Sequence, residues 1–240
     1  MIEVTAHYDT QGVNVPGGDD NGSGLGAMIE MMRLYKIHKP KRTIRFVFMD
    51  LEERGMQGSI LHNALPWNPA EKILGILVMD MFGYTPEISR WKLEKGEKPP
   101  FILEVGVLSD YNKGKNPIGY LNSLIFTEAL SYQFHKHPRN LDLFVQRNNS
   151  IPGSADHGPY QKHGRPGILA SVPYKYDYIT KGYHTPGDTL YQIHWPFYEE
   201  VVRYLIEGLS LVAQADYAGE AQPTKDPLEY GQSYTGDKEF

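Results

Sequence analysis

Residues able to do polar chemistry recur at a few points along the chain, each beside glycine-rich turns. They are His7-Tyr8-Asp9, Asp19-Asp20-Asn21 followed by Gly22-Ser23-Gly24, Asp50-Leu51-Glu52-Glu53, Asp80-Met81, and Tyr183-His184. Carboxylates brought together repel one another unless a cation neutralises them. Their convergence would therefore favour a metal centre with histidine and carboxylate ligands. An oxygen and nitrogen donor set suits zinc, with cobalt or manganese as substitutes. Two ions sharing one carboxylate would absorb more negative charge, and would acidify a bridging water for hydrolysis near neutral pH. Each residue alone has a plainer reading. Asp19 or Asp20 suits a helix N-cap, Glu52-Glu53 a solvated strand exit, Asp80 a turn, and a lone His7 or His184 a structural role. The ordered set is what argues for chemistry.

The elements that must position these residues are legible from apolar patterning. Strands are expected at Ile2–Ala6, Thr43–Met49, Ile73–Met79, Phe101–Val107, Leu141–Val145 and Ile168–Val172. Helices are expected at Asn21–His38, where Lys39-Pro40 ends the run, at Met56–Ala64, Pro117–Phe134 and Phe197–Ala213. Pro86–Pro100 reads as a loop, Gly153–Gly167 as a glycine-rich stretch, and Ala218–Phe240 as a polar tail. Alternating strands and helices imply a three-layer α/β/α sandwich with a mixed, largely parallel sheet. No linker or repeat divides the 240 residues, so a single domain over 1–240 is expected. In such sheets ligands bind beyond the carboxyl ends of the strands, where His7, Asp50–Glu53 and Asp80 fall.

Composition narrows the function. Lys plus Arg is 24 against 29 Asp plus Glu, with no basic block, which argues against a nucleic-acid partner. No apolar run reaches the length of a membrane span, so no membrane partner is expected, and no leader pattern is visible before Glu3. The absence of cysteine excludes disulfides, thiolate ligands and a cysteine nucleophile. There is no P-loop, no dinucleotide-binding glycine motif after a strand, and no nucleophile elbow.

The chain resembles the M28 family of co-catalytic zinc peptidases, chiefly aminopeptidases. The resemblance is carried by His7-Tyr8-Asp9, Gly18–Gly24, Glu52–Ser59, Met79–Tyr84 and Tyr183–Thr189, with Asp156-His157-Gly158-Pro159-Tyr160 as a further similar segment. It implies the zinc-exopeptidase form of the sandwich and five ligands for two Zn2+ ions: Asp20 bridging, His7 and Asp80 completing one site, Glu53 and His184 the other. It also implies Asp9 hydrogen-bonded to the far nitrogen of His7, and Glu52 as the general base for the bridging water. Tyr183 stands where some members place an oxyanion-stabilising phenol. Neighbouring residues at a strand end point opposite ways, which supports separate roles for Glu52 and Glu53. Gly22, Ser23 and Gly24 would let the helix begin close beneath the metals, and a cis peptide is expected at Asp20–Asn21.

Three departures stand out. Only six residues precede His7, where relatives usually carry a longer segment, so a compact variant or a fragment is expected. The usual Ser-Asp-His reads Ala155-Asp156-His157 without a preceding arginine, and no protease-associated domain is inserted. The resemblance implies an aminopeptidase acting on peptides with a free N-terminus. Glutaminyl cyclases share the fold but use one zinc, through counterparts of Asp20, Glu53 and His184, so an intact His7 and Asp80 favour two metals and hydrolysis. A dipeptidase or carboxypeptidase is the other alternative, and a non-catalytic binding module ranks last because Glu52 and every ligand are kept. His135 and His137 read as surface residues, and His157 as structural or as a support behind the ligands rather than a ligand itself. The family suggests an exported protein; the oligomeric state and the preferred N-terminal residue stay open.

Overall fold

The computed structural model describes residues 1–65, 73–85, 101–108, 143–151, 155–172 and 182–214, with residues 123, 126–128 and 130 of a further helical stretch. Six strands form one sheet: β1 Ile2–His7, β2 Ile44–Met49, β3 Gly75–Met79, β4 Phe101–Leu108, β5 Leu143–Ile151 and β6 Gly167–Ser171. Among the described residues four helices are complete: α1 Gly22–Ile37, α2 Gln57–Ala64, α3 His157–Lys162 and α4 Trp195–Gln214.

The strand order is β2-β1-β3-β6-β4-β5. Every pairing is parallel except β4 with β6. The sheet is thus mixed and largely parallel, as expected. From β1 the chain passes through α1 to β2 on one side, then through α2 to β3 on the other. That reversal opens a crevice at the carboxyl ends of β1 and β3, the position at which doubly wound sheets bind ligands.

Alternation along the strands builds the layers. Ile2, Val4 and Ala6 of β1 join Leu77, Met79, Ile168 and Ala170 in one apolar cluster beneath α1 and α4, which contribute Met28, Met31, Phe197 and Tyr204. The opposite face carries Ile76, Val78, Leu169 and Tyr160 beside α3. Helix α2 lies on that side too, since the His62 and Tyr160 rings meet edge-on at 5.8 Å. β1, β3 and β6 are buried along their whole lengths, which explains the near-continuous apolar character of β3 and β6. β1 also buries the polar Glu3, Thr5 and His7; Glu3 is held by a hydrogen-bonded ion pair with Arg45 of β2.

Most element expectations hold to within two residues. Two do not. The strand expected at Leu141–Val145 instead runs to Ile151, through Gln146-Arg147-Asn148-Asn149-Ser150. Pairing with β4 satisfies that backbone whatever the side chains, so an apolar pattern cannot see it. The stretch read as glycine-rich contains α3, a single short helix with Pro159 in its first turn, where no amide donor is needed. The loop at 86–100, most of the helix at 117–134, His135, His137 and the tail at 218–240 lie outside the described residues.

Candidate metal centre

The bridging position is set by the turn into α1. The helix is capped by Asn21, whose side chain accepts from the Gly24 amide at 3.1 Å and donates to the Met79 carbonyl at 2.8 Å. Neither Asp19 nor Asp20 serves as the cap, which leaves the Asp20 carboxylate free to face the crevice. The Asp20–Asn21 peptide is cis. The small residues here are required by space: a Cβ on Gly24 would lie 2.4 Å from Asn21 Oδ1 and 2.9 Å from the Met79 carbonyl oxygen.

Around Asp20 two groups of potential ligands converge. His7, Asp20 and Asp80 form one, and Asp20, Glu53 and His184 the other, each with its donor atoms within 4.8 Å of one another. The two oxygens of Asp20 divide between them. Oδ1 lies 3.2 Å from His7 Nε2, and Oδ2 lies 3.3 Å from His184 Nε2. His7 Nε2 is 3.4 Å from Asp80 Oδ1, and His184 Nε2 is 3.2 Å from Glu53 Oε2. His7 ends β1 and Asp80 follows β3, and the parallel register that pairs Thr5 with Val78 brings them side by side. His7 Nε2 and Asp80 Oδ1 are buried and make no hydrogen bond of proper geometry. Buried polar atoms without partners are rare, and a cation between them would satisfy both. Nitrogen and carboxylate donors in two such triads fit zinc.

Glu52 belongs to neither triad, yet lines the same cavity of 240 Å3 with Asp20, Glu53, Asp80, Met56, Met81, Tyr183 and His184. The reason differs from the strand alternation expected. β2 ends at Met49, and the chain then turns through Leu51, whose φ of 57° is in the left-handed region. The carbonyl of Glu52 accepts from the Gly55 and Met56 amides at 2.9 and 2.7 Å, closing the turn. The two glutamates therefore sit in a tight turn past the end of the strand rather than on its pleat, and both face the same cavity. The four non-glycine residues with positive φ among those described are Leu51, Met56, Met81 and His184, and all lie on these loops. Such backbone is uncommon outside functional sites.

The electrostatics report a crowd of carboxylates. Burial, then the charge of Asp80, pushes the Glu52 carboxyl up to about 9. Burial, then Asp20, pushes Glu53 to about 8. Burial also raises Asp20, against the pull of His7. For His7, burial opposes the charged form, but contacts with Asp20, Asp80 and Asp9 outweigh it and raise the pKa well above its ordinary value. Burial and the surrounding carboxylates raise the Tyr183 phenol, whose ring stacks on His184 with centroids 3.6 Å apart. Asp156 is buried behind the cluster and raised to about 6 by that burial. His157 is fully buried, and desolvation lowers it to about 4, so it sits neutral.

Asp9 stands beside the far nitrogen of His7. The atom bonded to His7 Nδ1 is the Asp9 backbone oxygen at 3.1 Å, while its carboxylate stands 3.5 Å away. That carboxylate also accepts from two successive amides, Glu52 N at 3.1 Å and Glu53 N at 3.2 Å. Asp19 and Asp188, neither of them a candidate ligand or base from the sequence, also shape the centre. Asp19, fully buried and raised to about 7 by that burial, accepts from the Gly83 amide at 2.7 Å and ties the loop after Asp80 to the α1 turn. Asp188 grips the same turn from the His184 loop. Only its place four residues after His184 could have drawn attention to it. A larger cavity of 680 Å3, lined by Tyr8, Thr10, Leu25, Leu190 and Tyr191 among others, contains none of the candidate ligands.

Comparison with known proteins places this geometry in a family. The family model of peptidase family M28 matches residues 1–208. Aminopeptidase YwaD of Bacillus subtilis is 44% identical over 195 residues, covering 80% of this chain and 37% of that protein. The uncharacterized protein YfbL of Escherichia coli is 28% identical over 230 residues, covering 84% of this chain and 64% of that one. The chain therefore spans from about a third to somewhat under two thirds of these relatives' lengths. Among solved structures, the zinc aminopeptidase BSAP from Bacillus subtilis superposes with a TM-score of 0.66 at 24% identity, over 87% of this chain and 45% of that one. A glutaminyl cyclase from Bacteroides thetaiotaomicron gives a TM-score of 0.61 at 18% identity, over 90% and 73%. With a family model spanning most of its length and the ordered acidic and histidine blocks folded into one crevice, the chain belongs to peptidase family M28.

Proposed function

We propose that this chain is the catalytic part of a di-zinc aminopeptidase, with His7 and Asp80 holding one ion, Glu53 and His184 the other, and Asp20 both. The observation that carries the reading is the pair of triads sharing Asp20, with Glu52 beside them but in neither. Charge supports two ions over one. Asp20, Glu52, Glu53 and Asp80 line one cavity with up to four negative charges, so one dication leaves −4 + 2 = −2 and two leave −4 + 4 = 0. Zinc in the names of relatives, BSAP among them, supports the choice of metal.

When bound, the ions supply Lewis acidity to the scissile carbonyl and lower the pKa of a water. The chain's own residues do the rest. Glu52 accepts the water's proton and returns it to the departing amine. Its raised pKa without cations falls as they neutralise Asp80 and Glu53, which makes it a base at neutral pH. Tyr183, locked against His184, donates its phenolic proton as a hydrogen bond to the carbonyl oxygen as charge develops there. Asp9 fixes the backbone of Glu52 and Glu53, so base and ligand keep their separation. The acidic cavity suits a substrate's free ammonium group, while Met56 and Met81 provide apolar wall.

The test is hydrolysis of a leucyl-anilide beside its N-acetyl counterpart, with zinc measured on the same sample. Cleavage of the free amine alone with about two zincs per chain is expected. One zinc with cyclisation of an N-terminal glutamine would replace the reading with a transferase. Two zincs with neither anilide cleaved would move it to dipeptides or carboxypeptidase substrates.

A further inference from the structure

Asp188 lies outside both ligand triads, yet it is completely buried. All its carboxylate hydrogen bonds run to the backbone that carries the shared ligand. Oδ1 accepts from the Asp19 amide at 2.9 Å, Oδ2 accepts from the Asp20 amide at 3.0 Å, and its carbonyl oxygen accepts from the Gly18 amide at 2.9 Å. Three successive amides are therefore gripped by one residue. The two loops meet without slack, since a Cβ on Gly18 would lie 2.4 Å from the carbonyl carbon of Thr189, and the His184 loop is itself tightly folded, since one on Gly182 would lie 2.4 Å from that of Gly187. Thr185 braces the same loop internally, its hydroxyl donating to the Gly182 carbonyl at 2.8 Å and accepting from the Gly187 amide at 3.1 Å.

Asp9 repeats the device on the other side, chelating the Glu52 and Glu53 amides. Each histidine-bearing loop thus sends an aspartate across to clamp the backbone of a carboxylate-bearing loop. A carboxylate is suited to this because it accepts two parallel N–H groups at once, and charge strengthens both bonds. What Asp188 holds is the hinge of the whole centre, since the two oxygens of Asp20 face different histidines at 3.2 and 3.3 Å.

Resting on the metal-binding reading above, we propose that Asp188 is a positioning residue that aims Asp20 at both metal positions, so that the His184 loop governs both ions and not merely the one His184 would touch. In Asp188→Asn one acceptor becomes an NH2 donor facing an amide donor, so one of the two bonds is lost and the Asp20 backbone is released. Removing a partner that orients a ligand typically weakens metal binding about 10–100-fold.

The test measures the two zinc dissociation constants by competition with a chromophoric chelator, with far-ultraviolet circular dichroism and the melting temperature of the metal-free chain recorded alongside. Asp188→Asn is expected to weaken both ions, each by tenfold or more. Thr185→Val, which loosens the same loop but leaves the clamp, is expected to weaken only the ion shared by Glu53 and His184. Gly18→Ala forces the two loops apart with Asp188 intact, and is expected to reproduce the two-ion loss; it serves as the deciding variant if Asp188→Asn does not fold. Wild-type affinity for both ions in Asp188→Asn would overturn the proposal alone, as would loss confined to the Glu53 and His184 ion in Asp188→Asn or Gly18→Ala. A wild-type chain that binds no zinc would overturn the metal reading and this proposal with it.

Discussion

Removing every metal ion from the protein exposes the acidic centre to its own repulsion, and the effect on stability has a definite sign. Glu52 is 9% exposed and its pKa rises from about 4.5 to about 9 on folding without a cation. A raised folded pKa means stability is fully present below the unfolded value and is lost as pH climbs toward the folded one. Between these limits the folded state holds one extra proton, and stability falls by about 1.4 kcal/mol per pH unit. From pH 7.0 to 8.5 Glu52 alone therefore costs about 2 kcal/mol. His7, raised above its ordinary 6.5, has the same sign in this window and adds to it. His62 and His157, lowered to about 4 by burial, act with the opposite sign but contribute only roughly a few tenths of a kcal/mol above pH 7, because the unfolded imidazoles are already mostly neutral there. For a domain of this size 2 kcal/mol corresponds to a fall of about 4–8 °C in melting temperature. The assay is differential scanning calorimetry of chelator-treated protein at pH 7.0 and 8.5, repeated with excess zinc. Zinc is expected to raise the melting temperature at both pH values and to remove most of the difference, since cations replace the protons. A metal-free melting temperature that is flat or higher at pH 8.5 would show that the carboxylates are not packed together as described.

Three further outcomes follow from individual contacts. Glu52→Gln is expected to lower kcat by about 10²–10⁴-fold while zinc content stays unchanged, because Glu52 stands outside both triads; loss of an ion in that variant would make it a ligand. Tyr183→Phe keeps the ring stacked on His184 but removes the phenol, so kcat should fall by roughly 10²-fold with KM nearly constant in steady-state assays. Gly58→Ala would place a Cβ 2.0 Å from the Asp50 carbonyl oxygen, forcing α2 away from the end of β2. Urea denaturation should show a loss of about 1–3 kcal/mol, with a fall in activity as the Glu52–Glu53 turn shifts.

The sandwich was legible because β3 and β6 are continuous apolar runs and turn residues bound the elements, whereas the buried helix faces were not, since α1 buries Ala27, Met31 and Tyr35 and leaves Ile29, Met32 and Ile37 exposed. β5 and α3 were not, because pairing and packing held a polar strand and a six-residue helix that carry no periodic signal of their own. The candidate ligands were legible as residue types at strand ends and in family order. Their partners were not. Asp19 and Asp188 act on backbone amides more than sixty and more than one hundred and sixty residues away in sequence, respectively, and no local spacing encodes such a bond.

Sequence alone thus determined which chemistry was possible: hard oxygen and nitrogen donors without cysteine, placed where strands end and helices begin. Tertiary structure decided how the donors are divided. The parallel register of β1 and β3 set His7 beside Asp80. The turn at Leu51 brought Glu53 into one triad and left Glu52 beside it in the same cavity. Asn21, by capping α1, freed Asp20 to face both histidines. These are choices among conformations of the same residues, made by packing and by the need to pair each buried amide, and they exist only once the distant loops have met.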